Sequence, residues 1–197
     1  MLNTSEKKYS IACVTGASGM IGRRITQKLL DLGYKVRVLT RSSYYNPNVE
    51  IFHASFENDA EIDKFICGAD MVFHCAAELA DESKIYESNV LGTEKVVRLI
   101  GKYKVSYYCH LSSAGVVGDT NEKWVNENIL CSPNDFYGIT KLEAEKIAGR
   151  NIEGCNTIIL RPTTVVDEDH LGQLSLAVYD SIINRLKVFL EVPSVRT

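Results

Sequence analysis

Six short apolar runs alternate along the chain with longer segments in which apolar residues recur at helical spacing. Such alternation is typical of a parallel sheet covered by helices, because parallel strands require long crossover connections. The predicted strands are Ser10–Thr15, Lys35–Thr40, Val49–His53, Met71–Cys75, Tyr107–Ser112 and Thr157–Leu160. The predicted helices are Met20–Leu32, Asp59–Ile66, Tyr86–Tyr103 and Tyr137–Gly149. We therefore expect an α/β protein whose doubly wound parallel sheet carries helices on both faces.

Charge and hydropathy exclude several function classes. The 197 residues carry a net charge of −3, which gives no electrostatic reason to expect nucleic acid or an anionic membrane as a partner. No run of about 18 apolar residues and no signal-peptide pattern occurs, so we expect a cytoplasmic location. An anionic ligand would have to be held locally.

The cysteines and histidines show no metal-ligand spacing. Six cysteines are scattered without a C-x-x-C pair, so we expect reduced, structural thiols and no metal. Cys13, Cys75 and Cys109 fall inside predicted strands, where a free thiol packs as a small hydrophobe. His74 and His110 fall within or at the end of predicted strands. We interpret both as packed, hydrogen-bonded histidines rather than catalytic ones.

A glycine triplet, Gly16, Gly19 and Gly22, occupies the stretch "VTGASGMIG" between the first predicted strand and the first predicted helix. There the free N–H groups and the positive end of the helix dipole can bind a pyrophosphate. Gly16 would permit the tight turn, Gly19 would let the backbone approach the phosphates, and Gly22 would let the helix pack closely on the strand. A turn that is merely rich in glycine is the alternative. The predicted dinucleotide site comprises Gly16, Ser18, Gly19, Met20, Ile21 and Gly22.

A tyrosine and a lysine four residues apart, Tyr137 and Lys141, share one face of a predicted helix. A phenol titrates near pH ~10, and a nearby ammonium favours the phenolate, so the pair is a candidate general acid and base. A helix-surface Tyr and Lys without function is the alternative. Ser113 follows the fifth predicted strand, at the edge of the sheet where ligands of α/β proteins bind. Ser112 competes with it for the same role.

The stretch "TGASGMIG" resembles the cofactor loop of the extended short-chain dehydrogenase/reductases, the group of nucleotide-sugar epimerases, dehydratases and related reductases. The resemblance continues through "VFHCAAE", "NVLGTEKVV", "LSSAGVVG", "YGITK" and "LRPTTV", and covers about residues 10–166 in order. It implies a Rossmann-type NAD(P)-binding fold. It also implies that Ser113 hydrogen-bonds the substrate oxygen, that Tyr137 exchanges its proton, and that Lys141 holds the nicotinamide ribose while lowering the tyrosine pKa.

The cofactor prediction depends on the end of the second strand. Thr40 stands where an acidic residue would favour NAD, and Arg41 follows it, so we expect NADP, with NAD as the alternative. Arg37 and Arg23 are further candidates to bind the 2′-phosphate. The alternative is that the basic residues at this strand end are solvated and bind no ligand. The resemblance adds further cofactor-lining positions: Ser55, Phe56, Ala76, Ala77 and Pro162.

The chain departs from the family pattern near the substrate. Val117 stands where the family commonly has a Tyr, and "VVDEDHLG" replaces a Gly-Pro-containing loop. Family members also usually continue well beyond this length, so a fragment, a truncated product and a minimal variant all stay open. We expect a dinucleotide-binding region over 1–170 and a helical remnant of the substrate region over 171–197. For an oligomer, the resemblance implies a homodimer paired through helices Tyr86–Tyr103 and Tyr137–Gly149.

The residues therefore predict hydride transfer between a nicotinamide cofactor and a carbon that bears an oxygen. The first hypothesis is an epimerase or dehydratase that acts on a nucleotide sugar. The second is an NADPH-dependent reductase of a non-sugar carbonyl compound. The third is an NAD(P)-binding sensor or scaffold without turnover. All three require the glycine turn, and only the first two require Tyr137.

Overall fold

A six-stranded parallel sheet forms the centre of the computed structural model, which describes residues 10–165. The strands are β1 (Ile11–Thr15), β2 (Lys35–Thr40), β3 (Val49–His53), β4 (Met71–His74), β5 (Tyr107–Leu111) and β6 (Asn156–Leu160). Their order is β3-β2-β1-β4-β5-β6, with every neighbouring pair parallel. From β1 the chain adds strands first on one side, β2 and β3, and then on the other, β4 to β6. This reversal of the strand order defines the doubly wound arrangement, so the fold prediction is confirmed.

Helices cover both faces of this sheet. They are α1 (Met20–Asp31), α2 (Asp59–Ile66), α3 (Glu82–Tyr86), α4 (Gly92–Tyr103) and α5 (Phe136–Ala148). One core cluster joins α1 to β1 and β2 through Leu29, Val14 and Val38. The larger cluster packs α2, α4 and α5 on the opposite face around Phe65 and Tyr108. All these elements belong to a unit that ends at Pro162.

Most predicted boundaries lie within a residue of the observed ones, and the predicted helix Tyr86–Tyr103 is helical to its predicted end, but the helical segment already begins at Glu82 and is not α-helical throughout. The chain forms the short helix α3, then a π-helical turn over Glu87–Leu91, and only then α4. Asp81 starts α3 by accepting the N–H of Ser83 on its side chain. A turn with one extra residue is invisible to a pattern search that assumes 3.6 residues per turn.

Among residues 10–165, no helix is both long and apolar enough to cross a bilayer. Within the same residues the six cysteines are free thiols; only Cys13 is buried, Cys67 is exposed and the other four are half-buried. The region predicted as a helical remnant, 171–197, lies outside the described residues and stays a prediction.

The start of α1 is packed too tightly to accept any side chain at Gly22. A Cβ atom there would collide with the carbonyl oxygen of Gly16 and would lie 2.7 Å from its carbonyl carbon. The close contact is therefore made with the turn that precedes the helix, whereas the sequence predicted a contact with the strand. Gly22 is buried as a consequence.

We expect Gly22→Ala to lower the free energy of unfolding by about 1–3 kcal/mol, because the backbone must shift to relieve the collision. Gly101, in α4, is the matched control, since a Cβ there meets only the Ile152 side chain at 3.8 Å. Gly101→Ala should leave the stability unchanged or raise it by up to about 1 kcal/mol. Urea unfolding of both variants measures the difference. Equal free energies for the two variants would contradict the packing described here.

Candidate functional site

The predicted site residues meet at one edge of the sheet. β1, β4 and β5 are neighbours, and because they are parallel their carboxyl ends lie side by side. The glycine turn follows β1, Ala76 and Ala77 follow β4, and Ser113 follows β5. In an open α/β sheet this is the edge at which ligands bind, on either side of the point where the strand order reverses.

The glycine turn is held against the segment that follows β4. Gly16 has a φ of +68°, and a Cβ atom there would lie 2.7 Å from the backbone nitrogen of Ala76. Ala76 in turn donates its N–H to the hydroxyl of Thr15, the last residue of β1. The turn therefore approaches its neighbour as backbone against backbone, which only glycine permits at this φ.

The N-terminus of α1 differs from those of α2, α3 and α5. The N-cap side chains of those three helices, Asn58, Asp81 and Asp135, each accept a backbone N–H. Gly19 caps α1 with no side chain to accept one, and the first turn of α1 contains no acidic residue. Ser18 and Gly19 are exposed, while Met20 and Ile21 are half-buried. This donor set fits a pyrophosphate, which needs backbone N–H groups and no competing carboxylate.

The predicted catalytic residues lie around the carboxyl end of β5. Ser113 accepts the N–H of Gly115 on its hydroxyl and begins a short 3-10 turn over Ala114–Val116. Tyr137 is half-buried in the first turn of α5. This end of α5 packs on the 3-10 turn, because a Cβ at Gly138 would lie 3.0 Å from the carbonyl oxygen of Gly115.

Lys141 enters the protein interior from the same helix. It is 2% exposed, and its Nζ donates to the carbonyl oxygen of Leu111 at 2.6 Å. Burial lowers the pKa of Lys141 to about 8, while Cys75 and Glu145 act in the opposite direction. At neutral pH the amine is therefore mostly an ammonium, with one of its three protons directed at the end of β5.

The expected lowering of the tyrosine pKa is not found. Burial raises the pKa of Tyr137, and the carboxylate of Asp135 raises it further. The ammonium of Lys141 donates instead to the carbonyl oxygen of Leu111. In the polypeptide alone the phenol therefore holds its proton at neutral pH.

Ser112, the competing serine, is buried at 4% exposure, and its hydroxyl has no hydrogen-bond partner among the described residues. Ser113 is half-buried and takes part in the turn beside Tyr137. The burial of the two side chains therefore favours Ser113 as the one a substrate can reach.

Arg41, predicted to bind a 2′-phosphate, forms an ion pair with Glu78 at 3.1 Å. Thr40 is buried and donates its hydroxyl to the carbonyl oxygen of Ser42. Arg37 donates to the carboxylate of Glu50 and to the carbonyl oxygens of Phe65 and Cys67. It is therefore engaged where α2 ends, and the interpretation of Arg37 as a phosphate ligand is not supported.

The remaining predicted lining residues fall on both sides of the glycine turn. The hydroxyl of Ser55 accepts the N–H of Glu57. The ring of Phe56 packs edge-on against His74, with ring centroids 5.5 Å apart, and against Gly92. At the far side, the carbonyl oxygen of Pro162 accepts the N–H of Ala114 and so ties the end of β6 to the turn after Ser113.

A buried histidine links the glycine turn to the helices behind it. His74 Nδ1 lies 2.8 Å from the Thr15 hydroxyl, and its Nε2 lies 3.1 Å from the Thr93 hydroxyl. Because Thr93 donates its only proton to the carbonyl oxygen of Asn89, it must accept one from Nε2. His74 is therefore neutral with the proton on Nε2, and Thr15 donates to Nδ1. Burial accordingly lowers the pKa of His74 to about 3.

Asn89, in the π-helical turn, continues the connection to the catalytic helix. Its side chain accepts the N–H of Glu78 at 2.8 Å and donates to the Glu78 carbonyl oxygen at 3.1 Å, which fixes the amide orientation. The same NH₂ group donates to Thr140 at 3.2 Å, and Thr140 donates to the carbonyl oxygen of Tyr137. Hydrogen bonds thus run from β1 to the backbone of Tyr137.

Sequence reasoning missed this network and a second contact of α5. Arg161, after β6, makes two hydrogen bonds of 2.8 and 2.7 Å to Glu145, which is 6% exposed. The sequence does show a single polar residue within an otherwise apolar stretch in β4 and in β5. This pattern identified His74 and His110 as packed residues. Their partners could not be found this way, because they come from distant segments.

The comparisons with known proteins agree with this geometry. Residues 12–192 match the NAD dependent epimerase/dehydratase family. The fold is that of a short-chain dehydrogenase/reductase, and the chain belongs to the NAD-dependent epimerase/dehydratase family.

The relatives include both sugar epimerases and ketone reductases. The chain is 32% identical over 172 residues to a putative UDP-glucose 4-epimerase of Methanocaldococcus jannaschii, covering 79% of this chain and 56% of that one. It is 29% identical over 168 residues to a 4-hydroxy-2-methyl-3-oxo-4-farnesyl-3,4-dihydroquinoline-1-oxide ketoreductase of Stigmatella aurantiaca, covering 79% and 50%. The chain thus spans about half the length of the curated relatives it matches.

A solved structure supplies the link to a nucleotide. The crystal structure of a short-chain dehydrogenase/reductase superfamily protein from Agrobacterium tumefaciens with bound NAD matches with a TM-score of 0.71 and 27% identity. The match covers 77% of this chain and 48% of that one.

The buried histidines predict how stability depends on pH. Burial lowers the pKa of His74 to about 3 and that of His110 to about 2, so the folded chain leaves both neutral while the unfolded chain protonates them below pH ~6.5. Stability from these groups is fully present above that pH and decreases as the pH falls toward 3. Between pH 7 and 5 each should cost about 2 kcal/mol of unfolding free energy.

Urea unfolding at pH 7, 6 and 5 measures this loss. His110→Gln should remove about half of it, whereas His53→Gln, at an exposed position, should leave the wild-type pH dependence unchanged. An unaltered pH dependence in the His110 variant would show that His110 is not kept neutral by the fold.

Proposed function

We propose that this chain binds a nicotinamide dinucleotide at the turn Gly16–Gly22 and catalyses hydride transfer at a hydroxyl or carbonyl carbon. The observation that carries the proposal is the uncapped N-terminus of α1 beside the backbone contact of Gly16 with Ala76. It leaves N–H donors without a side-chain acceptor at the edge where Ser113 and Tyr137 also lie. Family membership supplies the chemical context.

The dinucleotide, when bound, supplies or accepts the hydride. Ser113 and Tyr137 hold the substrate oxygen between their hydroxyls, and Tyr137 transfers the proton at its phenolic oxygen. Because the phenol is protonated at neutral pH, it is ready to act as the acid in the direction of carbonyl reduction. Lys141, anchored on Leu111, presents its ammonium to the nicotinamide ribose.

The proposed substrate is a nucleotide sugar, supported by the similarity to the putative UDP-glucose 4-epimerase. A non-sugar carbonyl compound reduced with NADPH is the second candidate, favoured by the similarity to the ketoreductase. Arg41 supports NADP as the cofactor, and the NAD bound to the Agrobacterium protein supports NAD. The proposed location stays cytoplasmic, and the proposed assembly is a homodimer.

The pyrophosphate site can be tested at Gly19, whose φ of −79° and ψ of 166° suit a capping side chain. Gly19→Asp should keep or raise stability by a few tenths of a kcal/mol, since Asp is a good N-cap. It should weaken NADH and NADPH binding at least about tenfold, because its carboxylate occupies the anion position. Fluorescence titration measures both affinities.

Gly19→Ser is the matched control, because it caps the helix without charge. Its affinity should fall between those of the wild type and Gly19→Asp. Wild-type affinity in Gly19→Asp, or no affinity of the wild type for either dinucleotide, would overturn the proposed site.

The catalytic assignment predicts that Tyr137→Phe loses at least about 100-fold in kcat while its dinucleotide Kd changes less than about threefold. Tyr107→Phe, at the opposite end of β5, is the control and should retain activity. Turnover is followed by nicotinamide absorbance with UDP-, GDP- and dTDP-sugars and with flavanone- and steroid-type ketones. Undiminished turnover in Tyr137→Phe would remove the tyrosine from the mechanism.

A further inference from the structure

The ion pair between Arg41 and Glu78 crosses the proposed dinucleotide groove. Arg41 follows β2, and Glu78 lies four residues after β4. β1 lies between these two strands, and the glycine turn follows β1. The 3.1 Å contact between Arg41 Nη2 and Glu78 Oε2 therefore joins the two sides of the edge at which the turn lies.

Glu78 is the fixed member of this pair. Its Oε1 accepts the backbone N–H groups of Leu79, Ala80 and Asp81 at 3.1, 3.2 and 3.4 Å. Asn89 holds its backbone at both the N–H and the carbonyl oxygen. The Glu78 side chain is 18% exposed, whereas that of Arg41 is 53% exposed. A ligand can therefore move the guanidinium more easily than the carboxylate.

A second ion pair lies close by along the chain. Lys84 Nζ lies 2.7 Å from Asp81 Oδ2, so these two form an ion pair of their own. The balance between Arg41 and Glu78 therefore contributes directly to the charge that a group near the end of β2 would meet. The backbone N–H bonds to Glu78, together with Arg41, lower the pKa of its carboxyl group, which keeps it ionised at neutral pH.

We propose that Glu78 is a specificity-determining residue that governs whether the adenosine 2′-phosphate is accepted, by holding the guanidinium of Arg41. This inference rests on the proposed function, because it requires the dinucleotide site. A 2′-phosphate must compete with a fixed carboxylate for Arg41 and is repelled by it. The 2′-hydroxyl of NAD carries no charge, and the Arg41–Glu78 pair that it meets has no net charge, so neither attraction nor repulsion of this kind arises. The intact pair therefore lets the chain accept NAD as well as NADP.

Two fragments that differ only in this phosphate, ADP and 2′-phospho-ADP, test the proposal without turnover. Isothermal titration calorimetry gives their Kd values for each variant. The wild type should bind both within about threefold. Glu78→Gln, which keeps an oxygen for the backbone N–H groups, should bind 2′-phospho-ADP about tenfold more tightly and ADP nearly unchanged. Arg41→Gln should weaken only 2′-phospho-ADP, by about tenfold.

Glu50→Gln is the matched control, because Glu50 pairs with another arginine of β2, Arg37, at 2.9 Å. The ratio of its Kd for ADP to its Kd for 2′-phospho-ADP should equal that of the wild type. An unchanged ratio in Glu78→Gln, with ADP still bound, overturns this inference alone. Absence of ADP binding in the wild type overturns the proposed function instead. Should Glu78→Gln not fold, the ratio in Arg41→Gln decides: a ratio equal to the wild type overturns the inference.

Discussion

The neutral imidazole of His74 connects β1, α4 and α5 at the edge of the sheet where the site lies. It accepts from Thr15 at the end of β1 and donates to Thr93 in α4, and Asn89 carries the connection on to α5. Each group in this sequence has its donor and acceptor matched, as buried polar groups require. A positively charged imidazole would donate to Thr15 and so take away the Nδ1 acceptor of the Thr15 hydroxyl proton, so the arrangement depends on burial keeping the ring neutral. The position of Tyr137 relative to the glycine turn follows from this chain of contacts.

Polar groups at this edge divide into those satisfied by the protein and those left for a ligand. Asn58, Asp81 and Asp135 satisfy the N-termini of their own helices, and Arg161 and Glu145 satisfy each other. The start of α1 has no such side chain. An anion is therefore favoured at the start of α1, which its missing cap distinguishes from the starts of α2, α3 and α5; α4 also lacks a side-chain cap, but it continues directly from the π-helical turn.

The parallel, doubly wound character of the sheet and most element boundaries could be predicted from the sequence because they depend on local periodicity and on parallel crossover rules. The glycine turn was identified from residues next to each other in the chain. What local patterns could not supply were contacts between distant segments. Arg41 was correctly placed at the end of β2, but its partner Glu78 lies 37 residues away. The sign of the Tyr137 pKa shift was wrong because it depends on the depth of burial, which spacing on a helix does not give.

The π-helical turn over Glu87–Leu91 has a consequence for length variation in this segment. A π turn holds one residue more than an α turn, so loss of one residue here would let Glu82–Tyr103 form one regular α-helix with α3 and α4 still in phase, while removing the bulge that carries Asn89. The apolar stripe would survive, but the Asn89 amide would no longer face Glu78 and Thr140 together. A single-residue deletion at this point would thus leave an amphipathic helix pattern in the sequence. It would nevertheless break the hydrogen-bonded connection between the His74 side of the site and Tyr137.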